Sequence, residues 1–167
     1  MANPQQKIKT TCNFLDGYVQ IWIRKGAGRL PRKQIKDSIS LFFHEGKYLG
    51  KGRYKHVYYI KATKKEFVLK FLSARALSKE KYIQEKIMSF PKLRRTYAKP
   101  YWYTKYFFLQ KYGRKKPTKI EVKKLKKLWA SYGYADVRAD NIRVFRGKPK
   151  VVDASESRRV RKRKKRV

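Results

Sequence analysis

The sequence predicts an α+β fold in two lobes: a small antiparallel sheet in the first and a much reduced second lobe. Three observations lead there. β-Branched and aromatic runs recur between Tyr48 and Phe71, separated by glycines and lysine-rich turns, as in a meander of about three strands. Two further apolar runs, Ile142-Arg143-Val144-Phe145 and Lys150-Val151-Val152, flank an Arg-Gly-Lys-Pro turn near the end of the chain. Between these regions lie two segments with helical apolar spacing. At 41% hydrophobic and 15% aromatic, the 167 residues carry enough apolar material for a packed core despite 47 Lys and Arg.

Each element has its own local reason. Residues 1–13 read as a frayed start. Residues 14–25 alternate loosely and fit either a strand or a short amphipathic helix. Gly26, Gly28 and Pro31 break that pattern, and residues 33–43 place Ile35, Ile39, Phe42 and Phe43 at helical spacing. Tyr48-Leu49, Val57-Tyr58-Tyr59-Ile60 and Phe67-Val68-Leu69 make the meander. Residues 78–90 predict a helix with Ser78 as N-cap, Tyr82, Ile83 and Ile87 as its stripe, and Pro91 as its stop. The aromatic stretch 99–112 predicts two strands with a turn near Thr104. After a Gly-Arg-Lys-Lys-Pro linker, Thr118 and Glu121 form a capping box that opens a helix with Val122, Leu125, Leu128 and Trp129 on one face. The domain boundaries that follow are an N-terminal extension at 1–46, a first lobe at 47–112, a second at 113–157 and a basic, disordered tail at 158–167.

Composition excludes several classes. One cysteine, Cys12, rules out a disulfide framework and a cysteine-rich zinc site, and two histidines leave little for an imidazole one. No apolar run is long enough for a transmembrane helix, and the first residues lack the apolar stretch of a secretory signal, so a cytoplasmic setting is expected. A net charge of +36 implies polyanionic partners: nucleic acid, a ribosome or an anionic membrane face. The block Arg-Arg-Val-Arg-Lys-Arg-Lys-Lys-Arg-Val at 158–167 is the densest expression of that charge.

Four short segments carry candidate chemistry. Leu49-Gly50-Lys51-Gly52 precedes a strand rather than a helix, which argues against a dinucleotide fingerprint. The spacing from Gly46 to Gly50 is one residue short of a P-loop. What remains is a turn between two strands: taken alone it reads first as an ordinary glycine hairpin, and in context as one whose glycines let backbone N–H groups approach phosphates. Lys70 sits inside the apolar run Phe67-Val68-Leu69-Lys70-Phe71, either as an edge lysine that snorkels to water or as a phosphate-binding lysine whose buried ammonium needs an anionic partner. Glu85 in the following helix is the first choice for that partner and Glu80 its rival. Tyr134-Ala135-Asp136-Val137-Arg138-Ala139-Asp140-Asn141 and Val151-Val152-Asp153 concentrate acids in a chain that has only 11. A strand, turn and return strand would bring Asn141 and Asp153 together as oxygen ligands suited to Mg²⁺. Asp136 would accept a proton from an attacking hydroxyl.

Together these segments resemble the protein-kinase-like superfamily over about residues 47–156. Leu-Gly-x-Gly-x-Tyr-x-x-Val-Tyr at 49–58 is similar to its glycine-rich loop, and Phe67-Val68-Leu69-Lys70 to its lysine-bearing strand. Tyr134 to Asn141 resembles its catalytic loop, and Val151 to Ser155 stands where its magnesium-binding aspartate is found. The resemblance implies a kinase using ATP and Mg²⁺. Gly50, Gly52 and Val57 would meet the nucleotide, Lys70 its phosphates with Glu85 as partner, and Gln110, Lys111 and Tyr112 the base. Asp136 would be the catalytic aspartate, with Asn141 and Asp153 as metal ligands. Several positions depart from the pattern. The third loop glycine is missing near Lys55, Tyr134-Ala135 replaces His-Arg, and Ala154-Ser155 replaces Phe-Gly. The 14 residues after Asp153 leave no room for the activation segment that the resemblance would imply, and the set looks more like small atypical kinases: RIO-like, aminoglycoside-phosphotransferase-like or lipopolysaccharide-core-kinase-like. Two functions follow: a phosphotransferase docked on RNA, a ribosome or an anionic glycolipid, or a kinase-like module that binds nucleic acid or ribosome with little catalysis.

Overall fold

The computed structural model describes residues 3–43, 46–51, 55–134 and 137–153. The chain is α+β and forms two compact units. The first comprises the chain up to Ser78 together with 100–112. The second comprises 79–99 and the residues from Gly113 on.

The first unit opens with helix α1, Pro4–Lys25. Asn3 caps it, its side chain accepting from the Gln5 N–H, and Pro4 occupies the first turn, where a missing N–H costs nothing. Ile8, Cys12, Leu15 and Val19 follow at helical spacing and are buried. From Pro4 on, the expected frayed start and the undecided segment 14–25 are therefore one helix. Its pattern is obscured because Phe14, Tyr18 and Ile21 add an apolar stripe on another side, exposed to solvent. Helix α2, Arg32–Phe42, buries Ile35 and Ile39.

Strands β1 (Lys47–Lys51), β2 (Lys55–Ala62), β3 (Lys65–Leu72), β4 (Trp102–Tyr103) and β5 (Phe107–Lys111) make an antiparallel sheet in the order β1-β2-β3-β5-β4. Alternation sorts its side chains. Tyr58, Ile60, Phe67, Leu69, Phe71, Phe107 and Leu109 form one buried core with the apolar residues of α1 and α2. The expected N-terminal extension thus covers one face of the sheet rather than extending from it. Asp16 fastens α1 to the β4–β5 turn. It accepts from the Thr104 hydroxyl at 3.1 Å and from the N–H groups of Lys105 and Tyr106 at 2.9 and 3.2 Å. Burial pushes its carboxyl above the usual range, and these hydrogen bonds pull the other way.

Helix α3, Ala74–Met88, starts four residues before Ser78. Ser73 supplies the capping oxygen, accepting from the Ala76 N–H, while the Ser78 hydroxyl donates to the Ala74 carbonyl inside the helix. Pro91 opens another short helix, α4 (Pro91–Thr96), at its first turn instead of merely ending α3.

In the second unit, helix α5 (Lys119–Ser131) begins with the reciprocal Thr118–Glu121 capping box expected from the sequence. The N–H and hydroxyl of Thr118 both donate to the Glu121 carboxyl and hold it below its ordinary value. Strands β6 (Ile142–Phe145) and β7 (Lys148–Val151) form a hairpin turned at Arg146 and Gly147. Both have positive φ, at 48° and 75°, as a two-residue turn matched to strand twist demands. Ile87, Leu93, Tyr97, Leu125, Trp129, Tyr134, Val137, Ile142 and Val151 make this unit's core. The Trp129 indole N–H donates to Thr96 Oγ1 at 3.1 Å, which joins α5 to α4.

Candidate functional site

Within the first unit, strand register builds a row across the sheet. Gly50 pairs with Val57, Val57 with Lys70, and Lys70 with Phe108. Cross-strand partners point to the same face, so Val57, Lys70 and Phe108 project from the side opposite α1 and α2. Lys70 is 4% exposed. Its Nζ lies 5.1 Å from the Phe108 ring centroid, where the ring's π-face attracts a cation. Lys55, paired with Leu72 at the end of β3, is also buried, as is Gln110 on β5. Lys111 is the exposed last residue of that strand. Tyr112 donates its N–H to the Glu66 carbonyl and sets its ring edge-on to Tyr59, 5.0 Å between centroids.

Gly50 has φ of +143° and sits where β1 shifts register against β2, so Leu49 is an extra residue in that strand. A Cβ at Gly50 would meet no atom within 4 Å. Glycine is favoured there by backbone conformation, not by crowding. Gly52 lies outside the described residues. On β1 and β2, Tyr48 Oη and His56 Nδ1 are 3.2 Å apart. Burial, then the nearby Arg32 and Lys51 cations, lower the His56 pKa.

The second unit carries the acids. On α3, Glu80 is 1% exposed and Gln84 is buried, whereas Glu85 is exposed. The partner preferred from the sequence thus faces solvent and its rival is the buried one. Nearness to Ile87 and Met88 favours Glu85, but two positions along a helix lead to the opposite side, so Glu85 faces away from the buried Ile87. Leu77, Glu80, Gln84 and Ile87, at spacings of three, four and three, trace the buried line instead. The spacing itself is visible in the sequence, but two of the four residues are polar, so hydrophobic periodicity passes over it.

Asn141 ends a short 3₁₀ turn, Ala139–Asn141, that leads directly into β6. Its carbonyl accepts from the Val152 N–H at 2.8 Å, extending the β6–β7 pairing by one step. Asn141 and Asp153 therefore leave the same end of the hairpin, and both are buried, at 9% and 7% exposed. Asp140 instead makes a solvent-exposed fork with Arg138, 2.8 Å at its closer contact. Asp136 lies outside the described residues, as do Ala154 and everything beyond it, the basic block included.

An amide oxygen and a carboxylate at one hairpin end are the donors a Mg²⁺ ion accepts when phosphate supplies further ligands. No group of three or more His, Cys, Asp or Glu among the described residues could hold a metal ion alone. Nor is any described helix long and apolar enough to cross a membrane. Compared with models of known protein families and with curated protein sequences, the chain matches none.

Proposed function

We propose that the chain is a small atypical kinase of the protein-kinase-like class: an ATP- and Mg²⁺-dependent phosphotransferase that works while bound to a polyanion. The observation that carries this reading is the burial of Lys70, Glu80, Asn141 and Asp153, each less than a tenth exposed. Burying charge is costly unless something is gained by it. Asp153 falls in a segment that resembles a kinase motif, and Glu80 is one of the two candidate glutamates on the helix after the third strand. The lysine stands on the third strand and the glutamate on the helix that follows it, as that chemistry requires.

In this reading Gly50 and Gly52 admit phosphates to the backbone, and Lys70 supplies positive charge to them. Glu80 is the glutamate of the set, in place of Glu85. Val57 and the Gln110–Tyr112 segment meet the base. Asn141 and Asp153 would hold Mg²⁺, which would supply positive charge to the transferred group. Asp136 takes the proton of the acceptor hydroxyl. A bond forms between that oxygen and the γ-phosphorus as the bond to the β,γ-bridging oxygen breaks, and ADP departs.

The test combines nucleotide binding with phosphate transfer. Mg²⁺-ATP should raise the melting temperature of the wild-type chain and leave Lys70→Ala and Asp153→Ala unmoved. Asp136→Asn should keep that binding but slow transfer from radiolabelled ATP by about 10²–10⁴-fold. The charge of +36 favours one competing reading, a kinase-like module for nucleic acid or ribosome. Steeply salt-dependent RNA binding with no response to nucleotide would establish the module and exclude the enzyme.

A further inference from the structure

The outward side of α1 and α2 carries large apolar residues that no core uses. Phe14, Tyr18 and Ile21 follow at spacings of four and three, which sets them in one line along α1. Phe14 is 56% exposed, and its ring packs on Tyr18 at 5.0 Å. Phe42 of α2 meets the same ring edge-on at 6.3 Å, so the stripe continues onto the second helix. Leu41, the chain neighbour of Phe42, is 80% exposed. The opposite side of α1 is committed to the sheet through Ile8, Cys12, Leu15 and Val19. The stripe is therefore a second apolar surface, not a core face awaiting its cover.

Its charge setting is specific. Lys7 lies seven residues before Phe14 and Lys25 four after Ile21, so lysines continue the apolar line at both ends. Lys25 is exposed, as are Arg24 beside the line and Lys33 on α2. Apolar side chains flanked by cations along the length of a surface helix match the boundary of an anionic bilayer, where acyl chains and headgroup phosphates lie a few ångströms apart. We propose that this face of α1 and α2 docks on an anionic lipid surface, with Phe14, Tyr18, Ile21, Leu41 and Phe42 entering the headgroup boundary.

Two other occupants fit less well. A second copy of the chain would bring another +36 against the same lysines. RNA offers bases to stack on aromatic rings, but Ile21 and Leu41 have no ring to offer, and RNA has no hydrocarbon for them. The inference is independent of the phosphotransferase reading, since none of these residues belongs to the candidate site.

Vesicle co-sedimentation of the full chain tests it. Wild-type protein should bind vesicles of mixed phosphatidylglycerol and phosphatidylcholine and leave pure phosphatidylcholine largely unbound. The variant F14Q/I21Q/L41Q should bind the anionic vesicles about thirtyfold more weakly or worse. Its circular dichroism and melting temperature should match wild type, because all three side chains are exposed. Phe14→Trp adds a direct reading: the fluorescence of the introduced indole should be quenched by brominated acyl chains. Unchanged vesicle binding by the triple variant, or an indole signal blind to the bromines, overturns the proposal. So does a dimer in sedimentation equilibrium that the triple variant dissociates, which assigns the face to a second copy. Loss of RNA affinity in that variant with vesicle binding intact assigns it to RNA.

Discussion

Asp16 shows how one side chain can determine the fate of a segment. A carboxylate in an apolar helix face is unfavourable unless donors surround it, and the β4–β5 turn supplies three. Asp16→Ala leaves the Lys105 and Tyr106 N–H groups without that acceptor and should cost about 3 kcal/mol in urea unfolding. Asp16→Asn should recover only part of it, since an amide offers one accepting oxygen. His56 yields a prediction in pH. Its folded pKa lies below the ordinary value of 6.5, so the unfolded chain binds more protons in that window. Its contribution is intact above pH 6.5 and declines as pH falls toward the folded pKa. Melting temperatures recorded from neutral pH down to about 5 should fall for wild type and flatten in His56→Gln. Both side chains are plain in the sequence, but their partners are not. Thr104 lies 88 positions from Asp16, and only the folded chain brings them into contact.

At the scale of elements, the segments with one apolar face and a clear cap are readable, and those with two apolar faces are not. Helix α5 is legible because Thr118 and Glu121 announce its start and its lysines stay on one side. Helix α1 is not, because Phe14, Tyr18 and Ile21 fill positions that a simple amphipathic pattern leaves polar. Helix α3 is readable as a helix but not in phase, since its buried line contains Glu80 and Gln84. The structural weight of α1 and α2 is open to test. Removing residues 1–46 would uncover Tyr58, Ile60, Phe67, Leu69 and Leu109, and the shortened chain should lose cooperative melting by circular dichroism. The milder Leu15→Ala should cost about 3 kcal/mol, because it opens a cavity at a fully buried position.

For the molecule as a whole, the net charge of +36 sets the terms of any encounter with a polyanion. With 47 Lys and Arg against 11 Asp and Glu, association with any polyanion releases counterions in proportion to the phosphates contacted. If the chain binds RNA through about six or more phosphates, raising salt from roughly 50 to 200 mM should weaken that binding about a thousandfold or more, as measured by fluorescence anisotropy. Apolar insertion into a bilayer should retain a salt-resistant remainder, which separates the two modes of docking.

The amino-acid sequence by itself determined the α+β class, the meander, the Thr118–Glu121 helix start and the β6–β7 turn, because each depends on residues a few positions apart. It also singled out Lys70, a charge inside an apolar run, Asn141, beside two of the few acids, and Asp153, a carboxylate at the end of an apolar strand. Tertiary structure alone decided that α1 and α2 cover a sheet face, that Asp16 belongs to a turn far along the chain, and that Glu80 rather than Glu85 is buried. Local periodicity cannot report these choices, because burial of a polar side chain is settled by what distant segments bring against it.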